Sequence, residues 1–257
     1  MEPILKVTDL SKVFSRAGKN EFYAVDHVSF SVCPGEILGV VGESGSGKST
    51  IAKLITRQID PTTGRIEIDG QDVTKLSGRA LIPVYAKIQM VFQSPAGSFD
   101  PRRTLGDGIC ESLRNKGVPK AEREAKARSL LEQCGLPGEF LERYPHQVSG
   151  GQCQRAAIAR ALMCDPRVLI FDEATSALDV TVQKQIIELL QQLQKEKKLA
   201  YLFICHNLAL VQQFCDRVVV LYDGKIVLRE FLGPHRRPTV CKLWLCKLCY
   251  NIRRKEN

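Results

Sequence analysis

The chain has 257 residues, which is long enough for one large domain, or for a domain with a subdomain, around a sizeable core. Its 37 Lys and Arg residues against 28 Asp and Glu residues give a net charge of +9. The Lys and Arg residues are spread along the chain, which is typical of solvated faces rather than of a nucleic-acid-binding stripe. The sequence shows neither a run of about 18 uncharged apolar residues nor an apolar segment behind a basic start. We therefore expect a soluble, intracellular protein whose ten cysteines are mostly reduced.

The first third of the chain carries strand signals interrupted by turns. ILKVTDLSKVF (4–14) and VDHVSFSV (25–32) alternate in polarity, which predicts half-exposed strands of an antiparallel sheet. EILGVV (36–41) predicts a buried strand, and STIAKLITRQ (49–58) predicts a helix. Further strands are predicted for GRIEIDGQDV (64–73), with a turn at Asp-Gly, and for KIQMVFQ (87–93).

From about residue 94 to residue 165 the pattern becomes helical and polar, as in KAEREAKARSLLEQCG (120–135). RVLIFDE (167–173) is continuously apolar before its acids, which is typical of a parallel sheet covered on both faces. The amphipathic segment 181–198 predicts a helix whose apolar face holds Val182, Ile186, Ile187, Leu190 and Leu193. The last strands are predicted over 200–206 and 217–227. These elements predict an α/β core with a helical insertion.

The stretch VVGESGSGKST (40–50) fits the pattern G-x-x-x-x-G-K-[ST], with Gly42, Gly47, Lys48 and Ser49 in the fixed positions. In such a loop the glycines let backbone N–H groups surround phosphate oxygens. The lysine neutralises phosphate charge, and the hydroxyl binds Mg²⁺. A plain Gly/Ser turn is the alternative. Phosphate binding is favoured because a strand precedes the loop and a helix follows it.

Two acids, Asp172 and Glu173, follow the buried strand VLIF. Asp172 is suited to hold the Mg²⁺ shell through water, because magnesium keeps several water ligands. Glu173 would then point at the γ-phosphate and polarise the attacking water. The alternative is that the acids cap the next helix, as acids at strand ends commonly do.

A second glycine-rich segment, VSGGQCQR (148–155), opens a predicted helix. Ser149 could be a plain N-cap, and the glycines a plain turn. A helix N-terminus with an adjacent serine and free amides is also a ready anion site. Two phosphate-binding elements in one ATPase that needs a single γ-phosphate clamp suggest that one of them serves a partner subunit.

These motifs, in this order, resemble those of the ATP-binding-cassette (ABC) ATPases over residues 4–230. GESGSGKST is similar to the Walker A loop, VSGGQ to the signature motif, VLIFDE to Walker B and SALD (176–179) to the D-loop. The resemblance implies a P-loop NTPase core with a mixed sheet and an N-terminal antiparallel β-subdomain. The domain would span 1–230, with an inserted helical subdomain at about 94–165. Residues 231–257 would form a C-terminal tail, truncated or amphipathic.

The resemblance also implies roles for single residues. Gln93 would sense Mg²⁺ and the attacking water, His206 would contact the γ-phosphate, and Tyr23 would stack on adenine. Judged on the residues alone, Tyr23 could be a half-buried strand aromatic and His206 a satisfied strand-end histidine. The implied catalytic residues are Glu173, His206 and Gln93, and the implied Mg²⁺ ligands are Ser49, Gln93 and Asp172. The implied ATP-binding residues are Tyr23, Gly42, Ser44, Gly45, Gly47, Lys48, Ser49, Thr50, Ser149, Gly150, Gly151, Gln152 and Asp179.

The mechanism that the resemblance implies is a head-to-tail dimer that closes on two ATP molecules. Each nucleotide would lie between one subunit's Walker A loop and the other's signature segment, and hydrolysis would reopen the dimer. Similarity in FQSPAGSFDPRRTLGD, RYPHQVSGGQCQRAAIARAL and FDEATSALD points to the importer branch for di- or oligopeptides or nickel. Its implied partners are a second, different ATPase subunit, two membrane-spanning permeases and an extracytoplasmic binding protein. The chain would then lie at the cytoplasmic face of the cell membrane.

The sequence departs from the family pattern in three places. Cys153 follows the signature glutamine, and Cys205 and Asn207 flank His206 where a hydroxyl residue and an aspartate are usual. The third departure is the tail, which lacks most of the branch's C-terminal signature. Its Cys241, Cys246 and Cys249 could hold an iron–sulfur cluster, but a fourth ligand is missing nearby. Packing of an amphipathic tail on the domain or a partner is the favoured alternative.

Two other functions were weighed. A soluble ABC-type ATPase acting on nucleic acid or ribosomes usually has two cassettes or a long coiled-coil insertion, and the chain has one signature motif and no such insertion. A degenerate, non-hydrolysing regulatory cassette is disfavoured by the presence of Gln93, Glu173, His206 and an intact SGGQ. The importer ATPase, without nucleic acid as a partner, is the prediction.

Overall fold

The computed structural model describes residues 2–15, 21–92, 94, 96–176 and 178–232. The strands are β1 (Leu5–Phe14), β2 (Phe22–Val32), β3 (Ile37–Gly42), β4 (Thr63–Ile68), β5 (Gln71–Asp72), β6 (Ile88–Val91), β7 (Val168–Asp172), β8 (Ala200–Ile204), β9 (Arg217–Tyr222) and β10 (Lys225–Phe231). The helices are α1 (Lys48–Ile55), α2 (Ile82–Lys87), α3 (Leu105–Ile109), α4 (Glu111–Asn115), α5 (Lys120–Gln133), α6 (Gly150–Leu162), α7 (Val180–Lys197) and α8 (Leu208–Phe214). Short 3₁₀ turns join several of them.

The first sheet is antiparallel and has the order β2-β1-β4-β5. The alternating polarity of β1 and β2 buries one face of each strand, as in Leu5 and Val7, and leaves the other to solvent. The register of β1 against β2 shifts between Val7 and Leu10. Asp9 and His27 there have positive φ angles of 51°, as expected where a bulge interrupts the ladder. The predicted antiparallel sheet is confirmed.

The second sheet is mixed and has the order β10-β9-β3-β8-β7-β6. Strands β9, β3, β8, β7 and β6 run parallel, and β10 pairs antiparallel with β9. Side chains alternate across β7: Val168 and Ile170 belong to the core on the α1 side, and Leu169 and Phe171 to the core on the α6 and α7 side. Both faces of the sheet are therefore covered, which explains why the sequence of β7 is an unbroken apolar run before Asp172.

Helix α7 packs one face against this sheet. Ile186, Leu190 and Leu193 are at most 1 % exposed, and Leu189 is also buried, which the sequence pattern did not include. Val182 is only partly buried against the core. The Tyr201 hydroxyl, buried under the helix, donates a hydrogen bond to the Leu190 carbonyl at 3.1 Å.

The described chain between β6 and β7 forms helices α3 to α6 and short turns, without a strand. Helix α5 ends at Gln133, and Gly135 just after its C-cap has a φ of +72°, the left-handed conformation typical of that position. The limits of a separate helical subdomain at about 94–165, of a 1–230 domain and of a 231–257 tail stay predictions. In the described ranges, none of the helices has the length and apolar character needed to cross a membrane.

We expect Leu190→Ala to lower the free energy of unfolding by about 2–5 kcal/mol, because it opens a cavity where α7 meets the sheet. Chemical denaturation followed by circular dichroism measures this. Lys184→Ala on the exposed face of the same helix is the control, and it should change stability by no more than about 0.5 kcal/mol. Equal losses in the two variants would contradict the assigned burial of α7.

Candidate nucleotide site

The loop between β3 and α1 has a backbone that side chains would obstruct. Gly47 is the N-cap of α1, with a φ of +102°, and a Cβ there would lie 2.2 Å from the Ala24 carbonyl oxygen. A Cβ on Gly42 would lie 2.3 Å from the Leu221 carbonyl oxygen. Glycine is therefore required at both fixed positions of the pattern because the neighbouring strands β2 and β9 pack against the loop.

The N-terminus of α1 is arranged to receive an anion. No side chain caps it, and its first turn contains no acid. The first N–H groups of a helix lack intrahelical partners, and the helix dipole places partial positive charge there. Since the loop glycines let these N–H groups face outward, a phosphate group is the ligand that this helix end fits best.

The Lys48 side chain folds back over the loop that precedes it. Its ammonium donates hydrogen bonds to the carbonyl oxygens of Gly42 at 2.8 Å and Glu43 at 2.6 Å. The residue is only 5 % exposed. Burial lowers the pKa of the ammonium, and the carboxylates of Glu173 and Asp172 oppose that shift. The positive charge is thus held at the helix end by backbone carbonyls rather than by a direct ion pair.

Ser49 and Asp172 meet although they lie on different elements. The Ser49 hydroxyl donates a hydrogen bond to the Asp172 carboxylate at 3.1 Å. Burial raises the pKa of that carboxyl, and the Ser49 hydrogen bond opposes the shift. A hydroxyl and a carboxylate oxygen in contact are suitable ligands for Mg²⁺, which prefers oxygen donors and keeps several waters. These residues therefore fit the predicted metal.

Among the described residues, no group of three or more His, Cys, Asp and Glu side chains is arranged to hold a metal ion. Mg²⁺ commonly takes one or two protein ligands and otherwise binds phosphate oxygens and water.

Glu173 and His206 lie at the ends of the neighbouring strands β7 and β8. The Glu173 backbone has a φ of +50°, and its N–H donates to the Ile204 carbonyl at 3.0 Å. The His206 Nδ1 atom lies 3.8 Å from the Glu173 Oε1 atom. The His206 ring is 59 % exposed, so it has room to contact a ligand. The parallel strands thus deliver an acid and an imidazole to the same edge of the sheet.

A cavity of about 290 Å³ is lined by Lys48, Ser49 and Glu173, while Asp172 and His206 are not among its lining residues. Its walls come from the loop, from the start of α1, from the residue after β7 and from the aromatic ends of β1 and β2. The lining residues are Phe14, Phe22, Ala24, Ser44, Gly45, Gly47, Lys48, Ser49, Thr50 and Glu173. The predicted loop residues and the predicted base therefore share one cavity.

The structure does not bring Tyr23 to this cavity. Phe14 and Phe22 line it, and they are directly paired across β1 and β2. Tyr23 is the neighbour of Phe22 on the same strand, and successive side chains point to opposite faces. The assignment of the adenine-stacking ring to Tyr23 stays a prediction, and Phe14 and Phe22 are the aromatic residues that line the cavity.

The signature segment and Asp179 lie at the starts of α6 and α7 and are not among the residues that line the cavity. Ser149 accepts a hydrogen bond from the Gln152 N–H at 3.3 Å, and the Gln152 side chain accepts one from the Ser149 N–H at 2.9 Å. Ser149 and Gly150 are exposed. Asp179 caps α7 by accepting the Val182 N–H at 2.9 Å. Ser149 and Asp179 therefore both cap helices, as the alternative for Ser149 expects, and both residues remain exposed.

Gln93 lies outside the described residues, as do Cys241, Cys246 and Cys249 of the predicted cluster. Cys153, the first departure from the family pattern, is buried in the core, and burial raises the pKa of its thiol to about 11. It therefore acts as a small apolar residue. Asn207 caps α8 through its side-chain oxygen, which accepts the N–H groups of Ala209 and Leu210 at 3.1 and 3.3 Å.

Comparison with known proteins agrees with this geometry. The chain is 46 % identical over 226 residues to a putative peptide import ATP-binding protein of Brucella ovis, an alignment that covers 88 % of this chain and 71 % of that protein. It is 47 % identical over 243 residues to the glutathione import ATP-binding protein GsiA of Salmonella paratyphi A, covering 91 % of this chain and 38 % of GsiA.

Solved structures give the same result. The dimeric post-hydrolysis state of the ATP-binding cassette MJ0796, bound to ADP and Pi, superposes with a TM-score of 0.81 at 30 % identity, covering 89 % of this chain and 99 % of that one. CbiO1 from Clostridium perfringens superposes with a TM-score of 0.79 at 27 % identity, covering 90 % of each chain. The family model described as ABC transporter matches residues 25–176. The chain belongs to the ABC transporter family and is one of its ATP-hydrolysing subunits.

Proposed function

We propose that the chain energises the import of di- or oligopeptides by hydrolysing ATP at the cytoplasmic face of the cell membrane. The observation that carries this proposal is one cavity lined by Lys48, Ser49 and Glu173. Asp172 accepts a hydrogen bond from Ser49, and His206 lies 3.8 Å from Glu173. Peptide import is supported by the names of the Brucella and Salmonella relatives. Nickel stays an untested alternative cargo. The same relatives lend no support to a soluble ATPase acting on nucleic acid or ribosomes.

Binding of ATP would begin with its phosphates at the N-terminus of α1. The N–H groups of the loop and of α1 would donate to phosphate oxygens, and the Lys48 ammonium would exchange carbonyl partners for β- and γ-phosphate oxygens. Ser49 and Asp172 would hold Mg²⁺, which supplies neutralisation of the phosphate charge. Ser44, Gly45 and Thr50 would complete the phosphate-binding wall.

Hydrolysis would depend on Glu173. Its carboxylate would accept a hydrogen bond from the attacking water and orient it toward the γ-phosphorus, and His206 would donate to a γ-phosphate oxygen. The products are ADP and phosphate. Gln93 is assigned, from the family resemblance alone, to the sensing of the metal and the water.

The second wall of the site would come from another subunit. Ser149, Gly150, Gly151 and Gln152 start the exposed end of α6, whose amides and dipole attract an anion. Since they are not among the residues that line the cavity of their own chain, we assign them to the γ-phosphate held by a partner cassette. Asp179 would contact the partner nearby. Loss of the γ-phosphate would remove this bridge and reopen the dimer.

The permease would dock in a groove between the sheet and the inserted helices. This groove has a volume of about 840 Å³, and exposed aromatic side chains line it, namely Tyr85 and Phe92. Asp172 also lines it, so the groove reaches the predicted metal ligand. A permease segment held there would sense changes at the site. Two permeases, a second and different ATPase and an extracytoplasmic binding protein complete the proposed importer.

Substitution of Lys48 and Glu173 should separate binding from hydrolysis. Lys48→Ala removes a charged donor to the phosphates and should weaken ATP binding by about 10- to 100-fold in isothermal titration calorimetry. Glu173→Gln should keep ATP affinity, lower kcat by at least about 100-fold and accumulate an ATP-bound dimer in size-exclusion chromatography.

Matched controls exist for both variants. Lys53→Ala removes an exposed lysine of α1 and should keep ATP affinity, and Glu188→Gln, on the exposed face of α7, should keep kcat. Hydrolysis by Glu173→Gln at the rate of the unmodified protein would remove Glu173 as the base.

We propose Phe14, which lines the cavity, rather than Tyr23 as the ring that stacks on adenine, and two alanine variants test this. Phe14→Ala should weaken ATP binding by about 5- to 150-fold, because stacking of a base on an aromatic ring contributes about 1–3 kcal/mol. Tyr23→Ala should change the affinity by less than about threefold. A larger loss in Tyr23→Ala than in Phe14→Ala would restore the assignment made from the sequence.

The importer itself is tested by affinity purification of the full chain, as Glu173→Gln with ATP, from native membranes in mild detergent. We expect two multi-span permeases and a second, different cassette to copurify. The same preparation with Lys48→Ala is the control for partners that depend on ATP-driven closure. Recovery of ribosomal proteins, DNA or soluble partners alone would overturn the importer function.

A further inference from the structure

The turn that follows β8 contains a thiol that the proposed reaction does not use. Cys205 is the first residue after the strand and is 4 % exposed. The Asn207 N–H donates a hydrogen bond to the Cys205 Sγ atom at 3.2 Å. His206 lies between these two residues, so this hydrogen bond closes the short turn that carries the imidazole.

The backbone on both sides of His206 is anchored by hydrogen bonds. On the strand side, the Cys205 N–H donates to the Val40 carbonyl of β3 at 3.2 Å. On the helix side, the Asn207 side chain accepts two N–H groups at the start of α8. The thiol contact links the two anchors. Without the thiol, the Asn207 N–H would lose its acceptor. The peptide groups on both sides of His206 would then no longer be fixed by this hydrogen bond.

The His206 ring depends on this turn for its direction. Because the ring is 59 % exposed, packing does not hold it. Its proximity to Glu173, 3.8 Å from Nδ1 to Oε1, therefore follows from where the backbone of the turn points. Glu173 in turn is tied to the residue before the thiol, because its N–H donates to the Ile204 carbonyl at 3.0 Å.

A buried thiol can replace a hydroxyl as the hydrogen-bond acceptor in such a turn. Side chains of serine and threonine accept the N–H group two residues later and so stabilise turns. Sulfur is a weaker acceptor, but burial excludes competing water. Burial also raises the pKa of the Cys205 thiol, so it remains uncharged beside Glu173.

We propose that the hydrogen bond between Asn207 and the Cys205 sulfur positions His206 for ATP hydrolysis, which makes Cys205 and Asn207 positioning residues rather than catalytic ones. This inference rests on the proposed function of the site. It accounts for the two departures from the family pattern as one unit: a thiol acceptor at 205 and a neutral cap at 207 that together fix the turn.

The test compares steady-state ATP hydrolysis by the purified full chain and three variants. Cys205→Ala should lower kcat by about 10-fold or more, since misplacing a reacting group by about 1 Å can cost 100-fold. Its KM for ATP should change by less than about threefold, because the Lys48 loop is untouched. Cys205→Ser restores an acceptor and should recover kcat to within about threefold of the unmodified protein.

Cys215→Ala is the matched control for loss of a buried thiol. Cys215 is 5 % exposed and packs near Gly39, and its sulfur makes no hydrogen bond within the part of the chain that the structure describes. This variant should lose stability as Cys205→Ala does but keep kcat. A kcat that falls equally in both alanine variants, or is not restored by serine, would reduce Cys205 to a packing residue and overturn the proposal.

A second measurement does not depend on turnover. The chain has four histidines, so the imidazole signals in a ¹H–¹³C spectrum are few, and His206→Gln identifies the signal of His206. Cys205→Ala should shift that signal and Cys215→Ala should leave it in place. An unmoved signal would overturn the proposal even while the unmodified chain hydrolyses ATP, and absence of hydrolysis by the unmodified chain would instead refute the function on which it rests.

Discussion

The site depends on the parallel pairing of β3, β8 and β7. In this register Ile204 of β8 lies opposite Val40 of β3 on one side and Asp172 of β7 on the other. The three strands therefore end at the same level, where the chain turns into the phosphate loop, the Asp172–Glu173 pair and the His206 turn. A slip of one residue in either pairing would turn every side chain of the strand to the opposite face. The apolar cores on both faces of the sheet forbid such a slip.

Burial and charge act against each other at this edge of the sheet. Burial lowers the pKa of Lys48 and raises that of Asp172, so each charged form is disfavoured by loss of water. The opposite charges nearby and the Ser49 hydroxyl offset part of that cost. An ATP molecule with its metal would complete the compensation, because it brings negative charge to the lysine and positive charge to the aspartate. Ligand binding is therefore favoured because Lys48 and Asp172 are only partly solvated before the ligand binds.

Much of this arrangement could be predicted from the sequence, because the phosphate loop is a local pattern. The pattern that contains Gly47 and Lys48 can be recognised from the adjacent residues alone. The apolar run before Asp172 likewise predicts a parallel strand that is covered on both faces. The aromatic wall of the cavity could not be predicted the same way. Phe14 and Phe22 become neighbours only through the pairing of β1 with β2, whose register contains bulges that no periodicity shows. The buried Leu189 of α7 was missed because the face that the helix buries is wider than a single stripe.

The signature segment shows how one local structure can serve two needs. The reciprocal hydrogen bonds of Ser149 and Gln152 satisfy the start of α6 without a ligand, so the helix is stable in the single chain. These reciprocal hydrogen bonds form a capping box. It keeps Ser149 and Gly150 at the surface, where a phosphate held by another subunit could reach them. A cap that satisfied the amides completely would leave nothing for the partner, and an uncapped helix would fray. A helix N-terminus has four N–H groups without intrahelical partners, and the Ser149–Gln152 capping box satisfies only some of them. The observed arrangement therefore lies between these extremes. The proposed ATP-dependent dimer would therefore need no refolding of α6.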